Sequence, residues 1–199
     1  MNKERGKDMK LLEDRIAKDG KVVNSNVIKV ESFLNHQIDT KLIYECGKEW
    51  YEKFKDQGIT KILTIDGSGI GIASITALQF GVPVLFARKL SADNKVGSEF
   101  FSAKIVSLTH GHEYNVIAGK RYLSKNDKVL IIDDFLANGS AMKALITLCN
   151  TAGATVVGCG AVIEKVFRNG GNDIRRSGIR VESLAKISSL SEDGNIEFC

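Results

Sequence analysis

Apolar positions along the chain form two alternating kinds of segment. Between Lys10 and Lys18, Leu11, Leu12 and Ile16 recur near helical spacing, and Gly20 stands where a helix C-cap is expected. Residues 22–38 keep no sustained period and are expected to be irregular or short extended pieces. Asp39 is placed to cap a helix running to about Asp56, with Trp50 and Phe54 on one face and Gly58 as its stop. Then the pattern changes. Lys61–Ile65 (KILTI) is a short apolar run, followed by a glycine-rich turn and an apolar helix, roughly Gly71–Phe80, that Gly81 ends. Val82–Ala87, Val129–Ile132, Thr155–Ile163 and Val181–Ala185 are further apolar runs, and a helix at about Ser140–Thr151 is closed by Gly153. Strands alternating with helices of about ten residues predict an α/β fold with a parallel sheet built from βαβ units. Near-continuous apolar strands fit a sheet covered on both faces.

Two stretches break this rhythm. Residues 1–8 are polar and aperiodic and are expected to be a disordered extension ahead of a single domain over 9–199. Between residues 90 and 128 the helix of a βαβ unit is missing. Ser91–Ser98 is polar, and Phe101–Leu108 with Tyr114–Ala118 predict a hairpin around Thr109–Glu113. So long an insertion between sheet strands is a candidate lid or binding loop, taken here as 91–117, beside the alternative of a plain surface loop.

Composition narrows the partners rather than the fold. The 199 residues carry a formal charge of +4, with no run of Lys or Arg interleaved with aromatics, which argues against nucleic acid. No apolar run approaches the roughly 18 residues of a membrane span, and residues 1–10 do not read as a signal peptide. Cys46, Cys149, Cys159 and Cys199 form no CxxC pair and have no histidine at metal-ligand spacing. Cys149 and Cys159 sit in apolar surroundings and read as buried free thiols in a reducing compartment, so a cytoplasmic location is expected.

The chemistry concentrates in Val129–Ala141 (VLIIDDFLANGSA). An apolar strand carries its carboxyl end to the sheet edge where open α/β sheets bind ligands. Asp133 and Asp134 sit there, followed by a small glycine-containing turn, Ala137, Asn138, Gly139, Ser140 and Ala141, that opens a helix. Backbone N–H groups of such a turn, backed by the helix dipole, suit a phosphate. The adjacent carboxylates suit the hydroxyls of a ribose. Two other readings stand beside this one: a magnesium-binding receiver-domain acid pair, and a structural turn with two solvated acids.

Val129–Ala141 resembles the phosphoribosyl pyrophosphate (PRPP) motif of type I phosphoribosyltransferases. The commonest form has Thr-Gly and a terminal Ser or Thr in the loop. The variant here, behind Asp133–Leu136, resembles the xanthine phosphoribosyltransferases, and Lys29–Asp39, Phe86–Lys89, Val162–Lys165 and Arg180–Ala185 are similar to that family as well. The resemblance spans about residues 10–198. It implies a parallel central sheet flanked by helices, a small hood from terminal segments and a flexible lid loop.

It also implies roles. Residues 137–141 would hold the 5′-phosphate, and Asp133 and Asp134 would face the ribose hydroxyls as the catalytic acids. Asp66, Gly67, Ser68 and Gly69 fall where the family places its pyrophosphate loop, though Glu-Ser-Ser-Gly is the commoner sequence there. Arg88 and Lys89 would contact pyrophosphate. Ile28, Asn35 and Lys165 match positions that meet the purine, and Phe167 would stack on it. The lone His36 is given no role. The implied reaction moves the phosphoribosyl group of PRPP to N9 of xanthine, with Mg2+ carried by substrate oxygens rather than by a dedicated protein site, in a homodimer. Guanine, hypoxanthine or adenine as the base, and a PRPP-sensing regulator without catalysis, are the alternatives.

Overall fold

The computed structural model describes residues 5–106 and 113–199. Helix α1 covers Arg5–Asp19, beginning five residues before the expected start. Of the expected extension, 5–8 are thus helical, and 1–4 lie outside the described residues. Strands β1 (Lys21–Asn24) and β2 (Val27–Lys29) make a small hairpin. A π-helical turn at Glu31–Asn35 buries Phe33 and Leu34. Helix α2, Thr40–Phe54, starts as expected at Asp39, whose carboxylate accepts the Leu42 N–H at 3.2 Å.

Next come β3 (Lys61–Ile65), α3 (Gly69–Phe80), β4 (Val84–Ser91), β5 (Phe100–Val106) and β6 (Glu113–Gly119). The chain continues with β7 (Lys128–Leu136), α4 (Ser140–Ala152), β8 (Thr155–Lys165), α5 (Gly170–Arg176), β9 (Val181–Leu190) and β10 (Ile196–Phe198). The main sheet has the order β10-β9-β8-β7-β3-β4-β6-β5. Its five middle strands, β9 to β4, are parallel, and β10, β6 and β5 join antiparallel at the edges. The sheet is therefore mixed, with the expected parallel centre. The 91–117 insertion is largely a hairpin that extends this sheet, and the tip of the expected turn, 107–112, lies outside the described residues.

Both sheet faces are covered, as the apolar strands required. Leu130 and Ile132 of β7 pack towards α2 and α3, while Val129 and Ile131 pack towards α4. Trp50 and Phe54 of α2 lie directly on β8, where Cβ atoms at Gly160 and Gly158 would fall 2.7 and 2.6 Å from their rings. The Trp50 indole N–H reaches the Glu182 carbonyl at 3.0 Å. Among the described residues no helix is long and apolar enough to cross a membrane.

One boundary matters for chemistry. Strand β7 does not stop at Ile132 but runs through both acids to Leu136, because β8 continues to pair with it as far as Leu136↔Glu164. On its other side β3 pairs only as far as Ile131. The acids therefore border a crevice left open beyond the end of β3.

Candidate active site

Three strand ends meet at this crevice. Asp133 is 5% exposed, and its Oδ1 accepts the Asp134 N–H at 2.9 Å. Burial, and then the neighbouring Asp134 charge, push the Asp133 carboxyl well above the ordinary carboxylate range, against some relief from Lys89. Asp134 is half-buried; one oxygen accepts from the Ser68 hydroxyl at 2.6 Å and the other from the Phe135 N–H at 2.8 Å. Asp66 Oδ1 accepts the Lys89 N–H at 3.2 Å, and the Asp66 N–H bonds to Ala87 at 2.8 Å. The 66–69 turn is thus tied to both β4 and β7.

That turn needs its glycines. Gly67 takes φ +108°, and a Cβ at Gly69 would lie 2.3 Å from Thr64 Oγ1 and 3.3 Å from Asp133 Oδ1. Thr64 is fully buried, and its hydroxyl has no hydrogen-bond partner among the described residues.

The 137–141 turn is shaped from within. Asn138 Oδ1 accepts the Ser140 N–H at 3.1 Å, Gly139 adopts φ +78°, and α4 begins at Ser140. The first N–H groups of a helix have no intrahelical partner, so this end can receive an anion beside the acids.

Next along the sheet edge lies a group of aromatic and basic side chains. Lys165 Nζ stands 5.2 Å from the centre of the Phe135 ring and donates to the Asn26 carbonyl at 2.8 Å. Arg168 donates to Asn26 Oδ1 at 3.0 Å, so both cations pin the β1–β2 hairpin over the sheet edge as a hood. Burial, then the Arg168 charge, lower the Lys165 pKa. Glu164, 1% exposed, faces the other way and takes a bidentate pair from Arg175 at 2.7 and 2.7 Å, with the Ser183 hydroxyl on its Oε2 at 2.5 Å. Burial would raise its pKa, but the Arg175 and Ser183 bonds outweigh that and hold it below the ordinary value.

A glycine-containing turn that opens a helix, an acid pair and a group of basic and aromatic side chains thus lie together at the carboxyl ends of parallel strands, an arrangement able to take an anionic ligand. The family described as "Phosphoribosyl transferase domain" matches residues 29–182. The chain belongs to this family. It is 55% identical over 191 residues to the xanthine phosphoribosyltransferase of Lachnoclostridium phytofermentans, covering 96% of this chain and 98% of the relative. With the xanthine phosphoribosyltransferase of Bifidobacterium adolescentis identity is 50% over 192 residues, covering 96% and 99%. A crystal structure of APRTase from Giardia lamblia complexed with 9-deazaadenine superposes with a TM-score of 0.73 at 22% identity, covering 88% of this chain and 97% of that one. This last likeness is one of fold.

As a phosphoribosyl transferase domain, the chain brings Asp133, Asp134, Asp66–Gly69, Lys89 and the 137–141 turn together at one crevice. It separates Arg88 from Lys89, although both were expected to point to one rim. Strand alternation sets Lys89 on the side of the acids, while Arg88 lines a cavity of about 580 Å³ with Phe86, Phe100, Ile117 and Tyr122. Asn35 is exposed at the end of the π-helical turn and Phe167 is half-buried, whereas Ile28 is buried at 5% exposure in the core shared with α1, α2 and the sheet. Asn26, Phe135, Arg168 and the Glu164–Arg175–Ser183 group went unassigned from the sequence. Phe135 carried a signal there as the residue directly after the acid pair, and Glu164 and Ser183 lie in segments similar to the family.

Proposed function

We propose that this protein is a xanthine phosphoribosyltransferase: it transfers the 5-phosphoribosyl group of PRPP to N9 of xanthine, giving xanthosine 5′-monophosphate (XMP) and pyrophosphate, a purine-salvage reaction. The observation that carries this reading is the near-full-length identity to xanthine phosphoribosyltransferases. The arrangement of the crevice agrees with it. The 137–141 turn takes the 5′-phosphate, and Asp133 and Asp134 accept hydrogen bonds from the ribose hydroxyls. The 66–69 turn and Lys89 meet the pyrophosphate. Lys165 turns from the Asn26 carbonyl to a xanthine oxygen, beside Phe135 and Phe167, with Asn35 on the purine edge. Xanthine is acidic enough to be partly anionic near neutrality, which a cation in a half-buried setting favours.

The C1–pyrophosphate bond breaks as the C1–N9 bond forms, through a transition state with oxocarbenium character. The residues act by positioning, by stabilising the departing charge and by excluding water. The hairpin ending at 106 and 113 is the candidate lid against PRPP hydrolysis.

No cluster of three or more metal-ligating side chains exists among the described residues. Asp133 and Asp134 beside the 137–141 turn would suit Mg2+ brought in with the substrate, and such an ion would supply charge neutralisation to the leaving pyrophosphate. A homodimer belongs to this reading, supported by the exposed Phe86 and Tyr122 and by the apolar groove of about 660 Å³ at Leu11, Tyr44 and Leu78. The buried free thiols of Cys149 and Cys159 fit a reducing cytoplasm. The test is incubation with xanthine, PRPP and Mg2+, with product identified by mass. XMP and pyrophosphate in equal amounts, lost on chelation, are expected; no nucleotide would refute the assignment.

A further inference from the structure

Helix α5 stands between two parts of the candidate site. At its first residue, Gly170 donates its N–H to the Ala137 carbonyl at 3.0 Å, crossing the phosphate turn at Gly139. A Cβ on Gly170 would fall 2.4 Å from Ala137 O, Asn138 C and Gly139 N, so helix and turn are in backbone contact. One residue on, a Cβ at Gly171 would fall 1.9 Å from Glu164 Oε1. The helix therefore rests on the phosphate turn at one point and on Glu164 at the next.

Glu164 directly precedes Lys165, and strand alternation sends the two side chains to opposite faces of β8. Fixing the Glu164 carboxylate fixes the backbone from which Lys165 projects. The fixing is strong. The guanidinium of Arg175, near the far end of α5, grips both Glu164 oxygens, Ser183 on β9 adds a hydroxyl, and Arg175 also reaches the Val181 carbonyl at 3.4 Å. The connection from Lys165 into α5 turns at Asn169, with φ +59°, the one non-glycine residue at positive φ among the described residues.

We propose that Glu164, Arg175 and Ser183 form a positioning clamp that seats α5 against the phosphate turn and sets the distance between 5′-phosphate and base subsites. None of the three touches substrate. They hold the 137–141 turn through α5 and Lys165 through β8, so one half-buried ion pair governs both ends of the nucleotide being made. This rests on the phosphoribosyltransferase reading above.

A structural ion pair and a positioning one differ in a double-neutralised variant. Glu164→Gln and Arg175→Met singly leave a charge without its partner and lower the melting temperature. In Glu164→Gln/Arg175→Met no unpaired charge remains, and most of that temperature returns. The clamp predicts that the double variant still binds PRPP with Mg2+ about 10- to 100-fold more weakly by calorimetry, and shows a raised KM for xanthine, since misplacement of about an ångström costs on that order. Ser183→Ala, which keeps the charge pair, gives a smaller change in the same direction.

If the double variant regains its melting temperature and binds PRPP as the wild type does, the pair is structural and the proposal is overturned. The same holds if it folds poorly while Ser183→Ala keeps wild-type PRPP affinity and KM. PRPP affinity is read without any base. Wild-type protein that binds PRPP but does not consume xanthine would therefore refute the xanthine assignment while leaving the clamp to stand or fall on calorimetry. Wild-type protein that does not bind PRPP overturns both.

Discussion

Asp133→Asn should make the protein more stable and less active at once. The carboxyl is 5% exposed, next to the carboxylate of Asp134, and accepts the Asp134 N–H at 2.9 Å. Its pKa stands well above the ordinary range, by burial first and the Asp134 charge second. For an acid raised in the folded state, folding takes up a proton that the unfolded chain does not hold. Stability is intact below the ordinary carboxylate pKa, falls as pH rises from there towards the raised value, and carries the full cost above it. Asparagine removes the charge and keeps an oxygen for the Asp134 N–H. Relieving a buried group of this kind recovers about 1–3 kcal/mol. For a chain of this length each kcal/mol moves the melting temperature by roughly 2–4 °C. Thermal unfolding at pH 8 and at about pH 4, near the unperturbed carboxylate value, should show a gain of several degrees at the higher pH that shrinks at the lower. In the same preparation kcat/KM for PRPP should fall about 10- to 100-fold, the worth of a charged hydrogen bond to a ribose hydroxyl. A variant that melts below the wild type at pH 8, or gains equally at both pH values, would refute this account of Asp133 as a buried charge kept for function at the expense of stability.

Other consequences are checkable with purified protein. Asp134→Asn, at a half-buried residue, should weaken PRPP use strongly while unfolding within about 0.5 kcal/mol of wild type; wild-type PRPP kinetics would sink its role. Lys165→Ala should raise KM for xanthine and leave KM for PRPP nearly unchanged, and equal effects on both would remove it from the base subsite. Gly170→Ala places a Cβ 2.4 Å from three backbone atoms of the phosphate turn, so the turn must shift and KM for PRPP should rise about 10- to 100-fold; an unchanged KM would contradict the contact. Burial pushes the Cys149 and Cys159 thiols up to about 12, and Cys46 is buried too, so an aromatic disulfide reagent at pH 8 should titrate only Cys199 until denaturant is added. Rapid reaction of a second thiol in native protein would contradict that burial.

Much of the fold was legible because its punctuation is local. Asp39 caps α2, and Gly58, Gly81 and Gly153 end their helices at positive φ, each as its residue type demands. The end of β7 was not legible, since two acids break the apolar run and only pairing with β8 keeps them in the strand. Helix α5 was missed because it has seven residues, two of them glycine at its start, and a single buried apolar side chain, Ile174. In the candidate site, the acid pair and the glycine-containing 137–141 turn could be read directly because they are contiguous. The separation of Arg88 from Lys89 followed from the period of two that any strand imposes, once β4 is extended to Ser91. The Glu164–Arg175–Ser183 group had no such route. Its members come from β8, α5 and β9, and only tertiary packing brings them together.

The most direct test of the central claim is a Mg2+- and PRPP-dependent turnover assay with xanthine, guanine, hypoxanthine and adenine side by side. The highest kcat/KM for xanthine, with XMP as product, is the predicted result. A higher value for another base would keep the PRPP subsite and contradict the base subsite built on Asn35 and Lys165. PRPP binding without turnover of any base would contradict the enzyme assignment itself.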